Sequence, residues 1–413
     1  MKQSIVILGA GHAGVQAAAS LREEGFDGKV TLVSEERELP YHKPPLSKTF
    51  IKEPDAYPQP LRGEAFYEGH RIALELGRPV EKLDLQARRL VFANGATIAF
   101  DKLILATGSR PRALALPGID LEGVVSLRTL ADARIIRDLA ETVEDVVVIG
   151  AGFIGLEIAA TLAAGGRIVS VVEAMPRALG RAVAPPIAAH VQSRLAASGV
   201  RILTSAGVKR IEGEAGKASA VVLTSGERIA ARMVVVGIGV VPNTELAQQA
   251  GLDVGNGVRV DALMRTSATG VAAIGDCANF RHWMTDADVR LESVQNATDQ
   301  AKLAARSLLG ATDAYDAVPW FWSDIGDMKL QMVGLIGSAD QHVITGNPAD
   351  NRFSVFHFAG TRLMAIETVN RPADHMLGRR ILATEFTPDR AALAANPEGL
   401  KAAFAAWQAG AAG

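Results

Sequence analysis

Two stretches of the chain share one arrangement of apolar and small residues. In the first, residues 5–8 are continuously apolar, and a glycine-rich turn follows them. An alanine-rich segment then runs to about Glu24, with Gly25 placed to end a helix, and residues 30–33 are predicted as the next strand. Strands that are apolar on both faces are typical of a parallel sheet covered by helices. The pattern therefore predicts a βαβ unit at the start of the chain.

The same arrangement returns further along the chain, where Gly150 follows Gly9 by 141 positions. Predicted strands at 146–149 and 169–172 enclose a second glycine-rich turn and a predicted helix over 156–164. What repeats is one motif and not a short array, which argues against a solenoid. We therefore predict an α/β protein with two Rossmann-type dinucleotide-binding domains.

The remaining segments have different patterns. A proline-rich stretch over 40–60 predicts irregular loop with a short helix. From Trp320 onward, short alternating runs predict strands, followed by helices, in a separate C-terminal α+β domain. These predicted strands cover residues 330–333, 342–344, 353–358 and 361–368. The alanine-rich tail over 391–413 is compatible with either a helix or a frayed end.

Composition narrows the class of protein. The 413 residues include 43 basic and 45 acidic side chains, and the net charge of −2 argues against a nucleic-acid-binding protein. The single cysteine excludes an intramolecular disulfide, a four-cysteine zinc site and a redox-active dithiol. Apolar runs such as 233–241 are shorter than the ~20 residues of a membrane span, and residues 1–10 read as a strand and turn without a signal-peptide pattern. We expect a cytoplasmic enzyme without a metal site.

Each glycine-rich turn has the G-x-G-x-x-G spacing of a dinucleotide site. The glycines are Gly9, Gly11 and Gly14 in the first turn and Gly150, Gly152 and Gly155 in the second. Glu35 follows Gly14 by 21 positions and Glu173 follows Gly155 by 18, which matches the position of the acidic residue that binds an adenosine ribose. Such glycines let the backbone approach a pyrophosphate at a helix N-terminus. Two copies predict two dinucleotides, one a bound flavin and the other a nicotinamide.

Residues near the second turn indicate which nicotinamide is used. A carboxylate at Glu173 repels the 2′-phosphate of NADPH, so we expect a strong preference for NADH. Arg177 and Arg181 follow closely, and each has two interpretations: neutralising a phosphate or pairing with the carboxylate, or lying on a solvated helix face.

Further segments carry more specific combinations of residues. They are 39–41 (LPY), 44–48 (PPLSK), 106–108 (ATG), 150–157 (GAGFIGLE), 242–243 (PN), 273–278 (AIGDCA), 292–297 (ESVQNA) and 319–324 (PWFWSD). Together they resemble the FAD-containing, NADH-dependent ferredoxin reductases, which have a glutathione-reductase-like fold and serve haem monooxygenases and Rieske-type dioxygenases. The resemblance extends from residue 1 to about residue 385.

This resemblance implies a domain order and two sets of binding residues. The expected domains are an FAD-binding domain in two parts (1–113 and 243–318), an NADH-binding domain (114–242) and the C-terminal α+β domain (319–413). The FAD site implied is Gly9, Gly11, His12, Ala13, Gly14, Glu35, Lys43, Pro45, Lys48, Ala106, Thr107, Gly108, Gly275, Asp276, Glu292, Val294 and Trp320. The NADH site implied is Gly150, Gly152, Phe153, Ile154, Gly155, Glu173, Arg181 and Gly239.

The resemblance also implies catalytic roles. Lys48 and Glu157 would form a buried pair near the flavin, and Trp320 would approach the isoalloxazine. Each has a plainer interpretation: Lys48 as a surface lysine, Glu157 as a carboxylate suited to a helix start, and Trp320 as interdomain core. Cys277, in the turn of the second FAD motif, is interpreted as a small packing residue.

The implied reaction is hydride transfer from NADH C4 to flavin N5, followed by two single-electron transfers to a two-iron, two-sulfur ferredoxin. A basic patch would steer that acidic partner, with Lys302, Lys329 and Arg290 as candidates, although each also fits a solvated surface charge. Ile325 departs from the family, which has glutamine there, so partner contacts in that loop are not carried over. A monomer or weak homodimer is expected. The alternatives are an NADH-dependent rubredoxin, quinone or oxygen reductase, and an FAD/NADH redox sensor.

Overall fold

The structure, a computed structural model, describes residues 2–411. Contacts divide the chain into two compact units. The first unit contains the chain up to His42, Pro58–Arg110 and Val240–Ala317, and the second contains Lys43–Tyr57, Pro111–Gly239 and the chain from Val318 onward.

Strands occur throughout both units. They are β1 (Ser4–Leu8), β2 (Lys29–Val33), β3 (Ile72–Glu75), β4 (Val80–Asp84), β5 (Arg89–Phe92), β6 (Thr97–Ala99), β7 (Lys102–Leu105), β8 (Ser109–Pro111), β9 (Val124–Val125), β10 (Asp145–Ile149), β11 (Ile168–Val172), β12 (Arg201–Leu203), β13 (Val208–Glu214), β14 (Lys217–Leu223), β15 (Arg228–Ala230), β16 (Met233–Val236), β17 (Val240–Pro242), β18 (Val254–Gly255), β19 (Gly257–Val260), β20 (Val271–Ala273), β21 (Ala278–His282), β22 (Ala287–Val289), β23 (Trp320–Ile325), β24 (Met328–Gly334), β25 (Gln341–Asn347), β26 (Arg352–Ala359) and β27 (Arg362–Val369).

Helices connect and cover these strands. They are α1 (His12–Glu23), α2 (Thr49–Lys52), α3 (Glu64–Gly69), α4 (Leu130–Thr142), α5 (Phe153–Ala164), α6 (Pro185–Ala197), α7 (Glu245–Gln249), α8 (Val294–Leu308), α9 (Pro372–Leu382), α10 (Arg390–Ala395) and α11 (Leu400–Ala411). Short 3-10 helices cover Pro44–Ser47, Gly275–Cys277, Pro348–Asp350 and Pro397–Gly399. None of the helices in residues 2–411 combines the length and the apolar character that a membrane crossing requires.

The first unit is built on a parallel sheet with strand order β20-β7-β1-β2-β3. The central strand β1 is buried because Ile5 and Ile7 point to one face and Val6 and Leu8 to the other, and both faces are packed. Helix α1 packs on α8 over one face. The βαβ unit predicted from the first apolar pattern is therefore confirmed.

The second unit repeats this architecture in a sheet with order β12-β11-β10-β16-β9. Helix α5 begins at Phe153 and so starts three residues before the predicted 156–164, because the glycine turn leads directly into it. The predicted second βαβ unit is confirmed.

The C-terminal part of the second unit is an antiparallel sheet with order β23-β24-β27-β26-β25, on which α9 packs. The predicted strands at 330–333, 342–344, 353–358 and 361–368 are confirmed as β24 to β27, each longer than or offset from its predicted span. The strand character of residues 320–325 is not in the prediction, because an unbroken aromatic run carries no period-two alternation. The tail is helical in α10 and α11, and residues 412–413 lie outside the described residues. The α/β class with two dinucleotide-binding units and a C-terminal α+β domain is confirmed.

Candidate functional site

The three glycines of the first turn differ in how much space surrounds them. A Cβ on Gly9 would lie 2.1 Å from the Ala106 carbonyl oxygen, and one on Gly14 would lie 1.8 Å from the Gly9 carbonyl oxygen. Backbone packing therefore requires glycine at both positions, and Gly9 also has a φ of +110°. A Cβ on Gly11 would meet nothing within 4 Å. The backbone at Gly11 thus borders open space at the N-terminus of α1.

The second turn repeats this division. A Cβ on Gly150 would lie 2.4 Å from the Gly237 carbonyl oxygen, and one on Gly155 would lie 2.3 Å from the Gly150 carbonyl oxygen. Gly152 again has nothing within 4 Å. Neither α1 nor α5 has an acidic residue in its first turn or a side-chain cap on its N-terminus. Backbone N–H groups and a positive dipole end therefore face the open space, which fits the pyrophosphates of FAD and of a nicotinamide dinucleotide.

Residues that follow the glycine turns lie at or near the helix starts. Ala13 is buried in the first turn of α1, and the rings of His12 and His42 have centroids 5.4 Å apart. Phe153 packs on Phe321 with ring centroids 4.8 Å apart. Ile154 is 42% exposed at the start of α5.

The two predicted ribose ligands are not in equivalent positions. Ile149 pairs with Val172, and Glu173 follows at once, so that its Oε2 accepts a hydrogen bond from Ala151 N at 2.8 Å and its Oε1 accepts one from Met175 N at 2.8 Å. This carboxylate is therefore fixed beside the second glycine turn.

In the first unit, Leu8 pairs with Val33, and the residue that follows is Ser34. Glu35 lies one position further on and is exposed. Counting positions from Gly14 does not reveal this one-residue offset, because the spacing tolerance of the motif is wider than one residue.

Residues of three FAD motifs converge in the first unit. Thr107 Oγ1 donates to the Asn243 carbonyl oxygen at 2.7 Å, and Asn243 Nδ2 donates to the Thr107 carbonyl oxygen at 2.9 Å. Asn243 N also donates to the Gly108 carbonyl oxygen at 2.9 Å. Ser109, which is 4% exposed, donates from Oγ to Asp276 Oδ2 at 2.9 Å. These hydrogen bonds thus hold the 106–108 segment next to Asp276 of the second FAD motif. The Ala106 carbonyl of the same segment lies against Gly9, as described above.

The turn at Gly275 and Asp276 is anchored from two sides. Gly275 N donates to Gln300 Oε1 of α8 at 2.7 Å, and Arg290 donates from Nη1 to the Asp276 carbonyl oxygen at 3.1 Å. Arg290 also pairs with Glu292 at 2.6 Å, and its side chain is only 9% exposed. Arg290 is therefore part of this turn. Val294 is the first residue of α8 and is half-buried.

Lys48 and Glu157 form the ion pair that the resemblance implies. Lys48 Nζ lies 2.8 Å from Glu157 Oε2, with side-chain exposures of 21% and 7%. The Ser47 hydroxyl donates to Glu157 Oε2 at 2.5 Å, and the Ser323 hydroxyl donates to Oε1 at 2.6 Å. Thr161, one turn along α5, donates to the Ser47 carbonyl oxygen at 3.0 Å. The predicted pair is confirmed as a contact, and both carboxylate oxygens have fixed hydrogen-bond partners.

The other predicted residues of the 43–48 segment lie close by. Lys43 Nζ donates to the Arg128 carbonyl oxygen at 3.3 Å. Pro45 lies in the 3-10 helix Pro44–Ser47. Proline is tolerated at the start of this helix because the first backbone N–H groups of a helix have no partner within it.

Trp320 begins strand β23 and is half-buried. The Arg379 guanidinium lies 4.5 Å from the centroid of its ring, and the rings of Trp322 and His375 each lie 5.7 Å away. Burial lowers the pKa of His375 to about 4, and the charges of Arg379 and Lys329 act in the same direction. Trp320 therefore rests against a neutral imidazole and a cation.

The arginines after Glu173 differ in their surroundings. Arg177 donates from Nη1 to the Val183 carbonyl oxygen at 2.8 Å and from Nη2 to the Gly180 carbonyl oxygen at 2.7 Å, so its guanidinium is used within the loop. Arg181 is exposed and lines a cleft of about 420 Å³. Gly239 is exposed with a φ of +96° and accepts a hydrogen bond from Arg112 N at 2.9 Å.

The cysteine has the surroundings of a packing residue. Cys277 is fully buried, and its Sγ lies 3.3 Å from the Ile274 carbonyl oxygen. Burial raises the pKa of the Cys277 thiol, which disfavours the thiolate that redox chemistry needs. Within residues 2–411, no group of three or more His, Cys, Asp or Glu side chains is arranged as a metal site.

Comparison with known proteins shows the family. A family model described as pyridine nucleotide-disulphide oxidoreductase matches residues 3–301, and one described as reductase C-terminal matches residues 320–404. The chain belongs to the pyridine nucleotide-disulphide oxidoreductase family. It is an FAD-dependent oxidoreductase that uses NADH as its cosubstrate.

Similar proteins in this family are electron-transfer reductases. Rhodocoxin reductase of Rhodococcus erythropolis is 47% identical over 392 residues, covering 94% of this chain and 92% of the relative. Rubredoxin–NAD(+) reductase of Pseudomonas putida is 41% identical over 370 residues, covering 89% and 96%. The crystal structure of the ferredoxin reductase for the CYP199A2 system from Rhodopseudomonas palustris matches with a TM-score of 0.94 and 42% identity, covering 97% of this chain and 99% of that one.

Some residues of the site have no signal in the sequence. Ser47 and Ser323 lie inside motifs that carry the resemblance, yet nothing in the spacing indicates that both hydroxyls bond to one carboxylate. Gln300 is two turns into α8, and its contact with Gly275 depends on tertiary packing alone.

Proposed function

We propose that this protein passes electrons from NADH, through FAD, to a two-iron, two-sulfur ferredoxin that feeds a haem monooxygenase or a Rieske-type oxygenase. The observation that carries the proposal is the burial of Cys277, the single cysteine of the sequence, inside the FAD turn. A chain with no accessible thiol pair has no protein relay for electrons, so they must leave to an external acceptor. Relatives named rhodocoxin reductase and ferredoxin reductase support this choice of acceptor.

The residues of the chain bind and orient the cofactors. Bound FAD supplies the conversion between a two-electron donor and one-electron acceptors. The open space at Gly11 receives its pyrophosphate, and Asp276, held by Ser109, receives a hydroxyl of its ribitol region. Lys48 presents a positive charge whose position is fixed by Glu157. Because both oxygens of Glu157 are already hydrogen-bonded, this charge is preorganised.

The second glycine turn binds NADH in this proposal. Its pyrophosphate lies at Gly152, where the N-terminus of α5 is uncapped, and the adenosine ribose hydroxyls bond to Glu173. The lone pairs of Glu173 that are not used by Ala151 and Met175 accept these hydroxyls. A 2′-phosphate would bring negative charge against the same carboxylate.

In this proposal the electron acceptor is a small protein with an acidic surface. Lys302 and Lys329 are exposed and remain candidates for steering it, whereas Arg290 is held by Glu292 and the Asp276 carbonyl. A cationic surface would make the rate of ferredoxin reduction fall as ionic strength rises. We place the protein in the cytoplasm, where NADH is available, as a monomer or weak homodimer.

Electron delivery to different acceptors tests the proposal. Purified holoprotein is mixed with NADH and cytochrome c, either alone, with a two-iron ferredoxin, or with a rubredoxin. We expect cytochrome c reduction to depend on the ferredoxin and to be suppressed by 0.5 M salt. Equal rates without any ferredoxin would contradict the proposal and favour direct oxygen or quinone reduction.

A rubredoxin reductase is the second candidate, since one relative at 41% identity bears that name. The same assay distinguishes it, because a rubredoxin would then replace the ferredoxin at equal or higher rate. A redox-sensing role predicts that the NADH-reduced protein persists without turnover in any of these mixtures.

A further inference from the structure

The loop over residues 174–184 is tied to the second glycine turn. It starts directly after Glu173, and Leu179 N donates to the Ala151 carbonyl oxygen at 2.9 Å. Ala151 N in turn donates to Glu173 Oε2 at 2.8 Å. The carbonyl of Ala151 therefore bonds to the loop, and its N–H bonds to Glu173. A displacement of the loop would move the glycine turn and the Glu173 carboxylate with it.

The loop behaves as one piece because its own arginine closes it. The Arg177 guanidinium donates to the carbonyl oxygens of Gly180 and Val183 at 2.7 and 2.8 Å. Leu179 has a φ of +52°, a backbone conformation that a leucine keeps only when its surroundings impose it. Internal bonds therefore support the shape of the loop, and the contact at its far end contributes to its position.

The far end is held by a buried carboxylate. Ala184 N donates to both oxygens of Glu367 at 3.2 and 3.1 Å, and this hydrogen bond fixes the residue immediately before α6. Glu367 is on β27 and is 1% exposed. On the adjacent strand β26, His357 places its Nε2 2.8 Å from Glu367 Oε2. A buried His–Glu pair in the C-terminal sheet thus anchors the loop.

The loop also packs into the hydrophobic core through the buried residues Ala178, Leu179, Val183 and Ala184. A cleft of about 420 Å³ borders the loop at Arg181, Val183 and Ala184, and on its other side it borders His342 and His357. The hydrogen bond to Glu367 joins the loop to β27 at the end next to α6 and adds a polar restraint to this packing.

We propose that His357 and Glu367 are positioning residues for NADH binding, acting through the loop 174–184 on Ala151 and Glu173. This inference rests on the placement of NADH at the second glycine turn. It assigns a role in cosubstrate binding to the C-terminal sheet, through residues that do not themselves touch NADH. The pair should therefore affect how tightly the dinucleotide binds more than how fast a bound NADH reacts.

Two variants disturb the anchor in different ways. Glu367→Gln keeps the shape of the side chain but removes its charge. Ala184→Pro removes the N–H donor, and the Ala184 φ of −63° is the value that a proline ring imposes. Ala184→Pro loses the hydrogen bond to Glu367, whereas Glu367→Gln keeps one acceptor oxygen and weakens the bond. We therefore expect the Kd for ADP-ribose, an unreactive fragment of NADH, to rise about three- to tenfold in Ala184→Pro and about threefold in Glu367→Gln. The double variant should bind ADP-ribose about as weakly as Ala184→Pro alone, because both substitutions act on the same contact.

The readouts separate positioning from general damage. Calorimetry gives the Kd of ADP-ribose for the FAD-loaded protein, and stopped-flow mixing with NADH gives the KM and the limiting rate of flavin reduction. We expect the KM to follow the Kd while the limiting rate stays within about twofold, and the FAD content and Tm to report folding. His342→Ala is the matched control: this residue lines the same cleft and its ring lies 6.3 Å from that of His357, whereas the imidazole that bonds to Glu367 is that of His357.

Unchanged ADP-ribose binding in both Glu367→Gln and Ala184→Pro would overturn the proposal. So would an equal loss in His342→Ala, or a fall in the limiting rate with no change in KM. None of these readouts uses a ferredoxin, so a failure to reduce ferredoxin would contradict the proposed function and leave this result standing. If Ala184→Pro does not fold, Glu367→Gln decides the question alone.

Discussion

Lys48 Nζ lies 2.8 Å from Glu157 Oε2, and the two serines Ser47 and Ser323 donate hydroxyl hydrogen bonds to the same carboxylate. Four side chains from three separate segments of sequence therefore meet around one mostly buried charge. Removing one partner of such a pair leaves the other uncompensated, which costs more than the pair itself contributes.

Replacing Lys48 with methionine should slow flavin reduction while FAD remains bound. Glu157→Gln should do the same, because it removes the charge that fixes the lysine. We expect the limiting rate of reduction by NADH in stopped flow to fall about tenfold or more, and the free energy of unfolding to fall by about 1–3 kcal/mol. Lys52→Met is the control, since Lys52 is exposed on α2. Unchanged reduction rates in both variants would remove the pair from the mechanism.

The glycines of the first turn should separate cofactor binding from folding. Gly11→Ala adds a methyl group where no protein atom lies within 4 Å, so the apoprotein should keep its Tm while FAD affinity falls by about tenfold or more. Gly14→Ala would place the methyl 1.8 Å from the Gly9 carbonyl oxygen and should reduce the yield of folded protein. Tm and FAD titration of the apoproteins check this. Equal FAD affinity in Gly11→Ala and the wild type would show that the open space does not hold the pyrophosphate.

The preference for NADH should depend on the charge of Glu173. Glu173→Gln keeps an oxygen for the Ala151 or Met175 amide and removes the negative charge. We expect the ratio of kcat/KM values for NADH and NADPH to fall about tenfold, measured with ferricyanide as acceptor. Glu141→Gln, an exposed position at the end of α4, should leave the ratio unchanged. A wild-type enzyme equally efficient with both cosubstrates would contradict the assignment.

We expect the folded protein to become less stable as the pH is lowered, because His375 is buried. Burial lowers its folded-state pKa to about 4, whereas an unfolded histidine titrates near ~6.5. Between these values the unfolded chain binds a proton that the folded chain does not, so lowering the pH from about 6.5 to 4 destabilises the fold, by about 3 kcal/mol at most for this group. Urea unfolding at pH 7 and 4.5 should show a smaller difference in His375→Gln than in the wild type.

His70→Gln, at an exposed position, serves as the control and should keep the wild-type pH dependence. His282 is also fully buried with a pKa lowered to about 4, and it should contribute a second, separate part of the same loss. An unaltered pH dependence in His375→Gln would show that this imidazole titrates normally in the folded protein.

The parts of the fold that sequence could predict are those with a local cause. Apolar runs beside glycine turns predict both βαβ units, because the residues that determine a two-face buried strand and a tight turn are adjacent in the sequence. The contact between Lys48 and Glu157 was predictable only from the resemblance, since 109 positions separate the two residues.

Other relationships depend on register and tertiary packing. Leu8 of β1 pairs with Val33, so the residue that follows the pair is Ser34 and not Glu35. This depends on strand register, and the spacing of the motif does not specify the register to within one residue. The anchoring of Ala184 by Glu367 joins residues 183 positions apart and has no motif. Such contacts form only when the C-terminal sheet is packed in place.

Ser323 gives the C-terminal region a consequence for how the protein can be divided. A fragment ending before Trp320 would retain both nucleotide-binding turns, yet Glu157 would lose the hydroxyl on its Oε1, and Ala184 would lose Glu367. The region from Trp320 onward therefore supplies hydrogen bonds that the rest of the chain uses. A region exchanged from a related reductase should preserve these contacts only when it carries a hydroxyl and a carboxylate at the positions of Ser323 and Glu367.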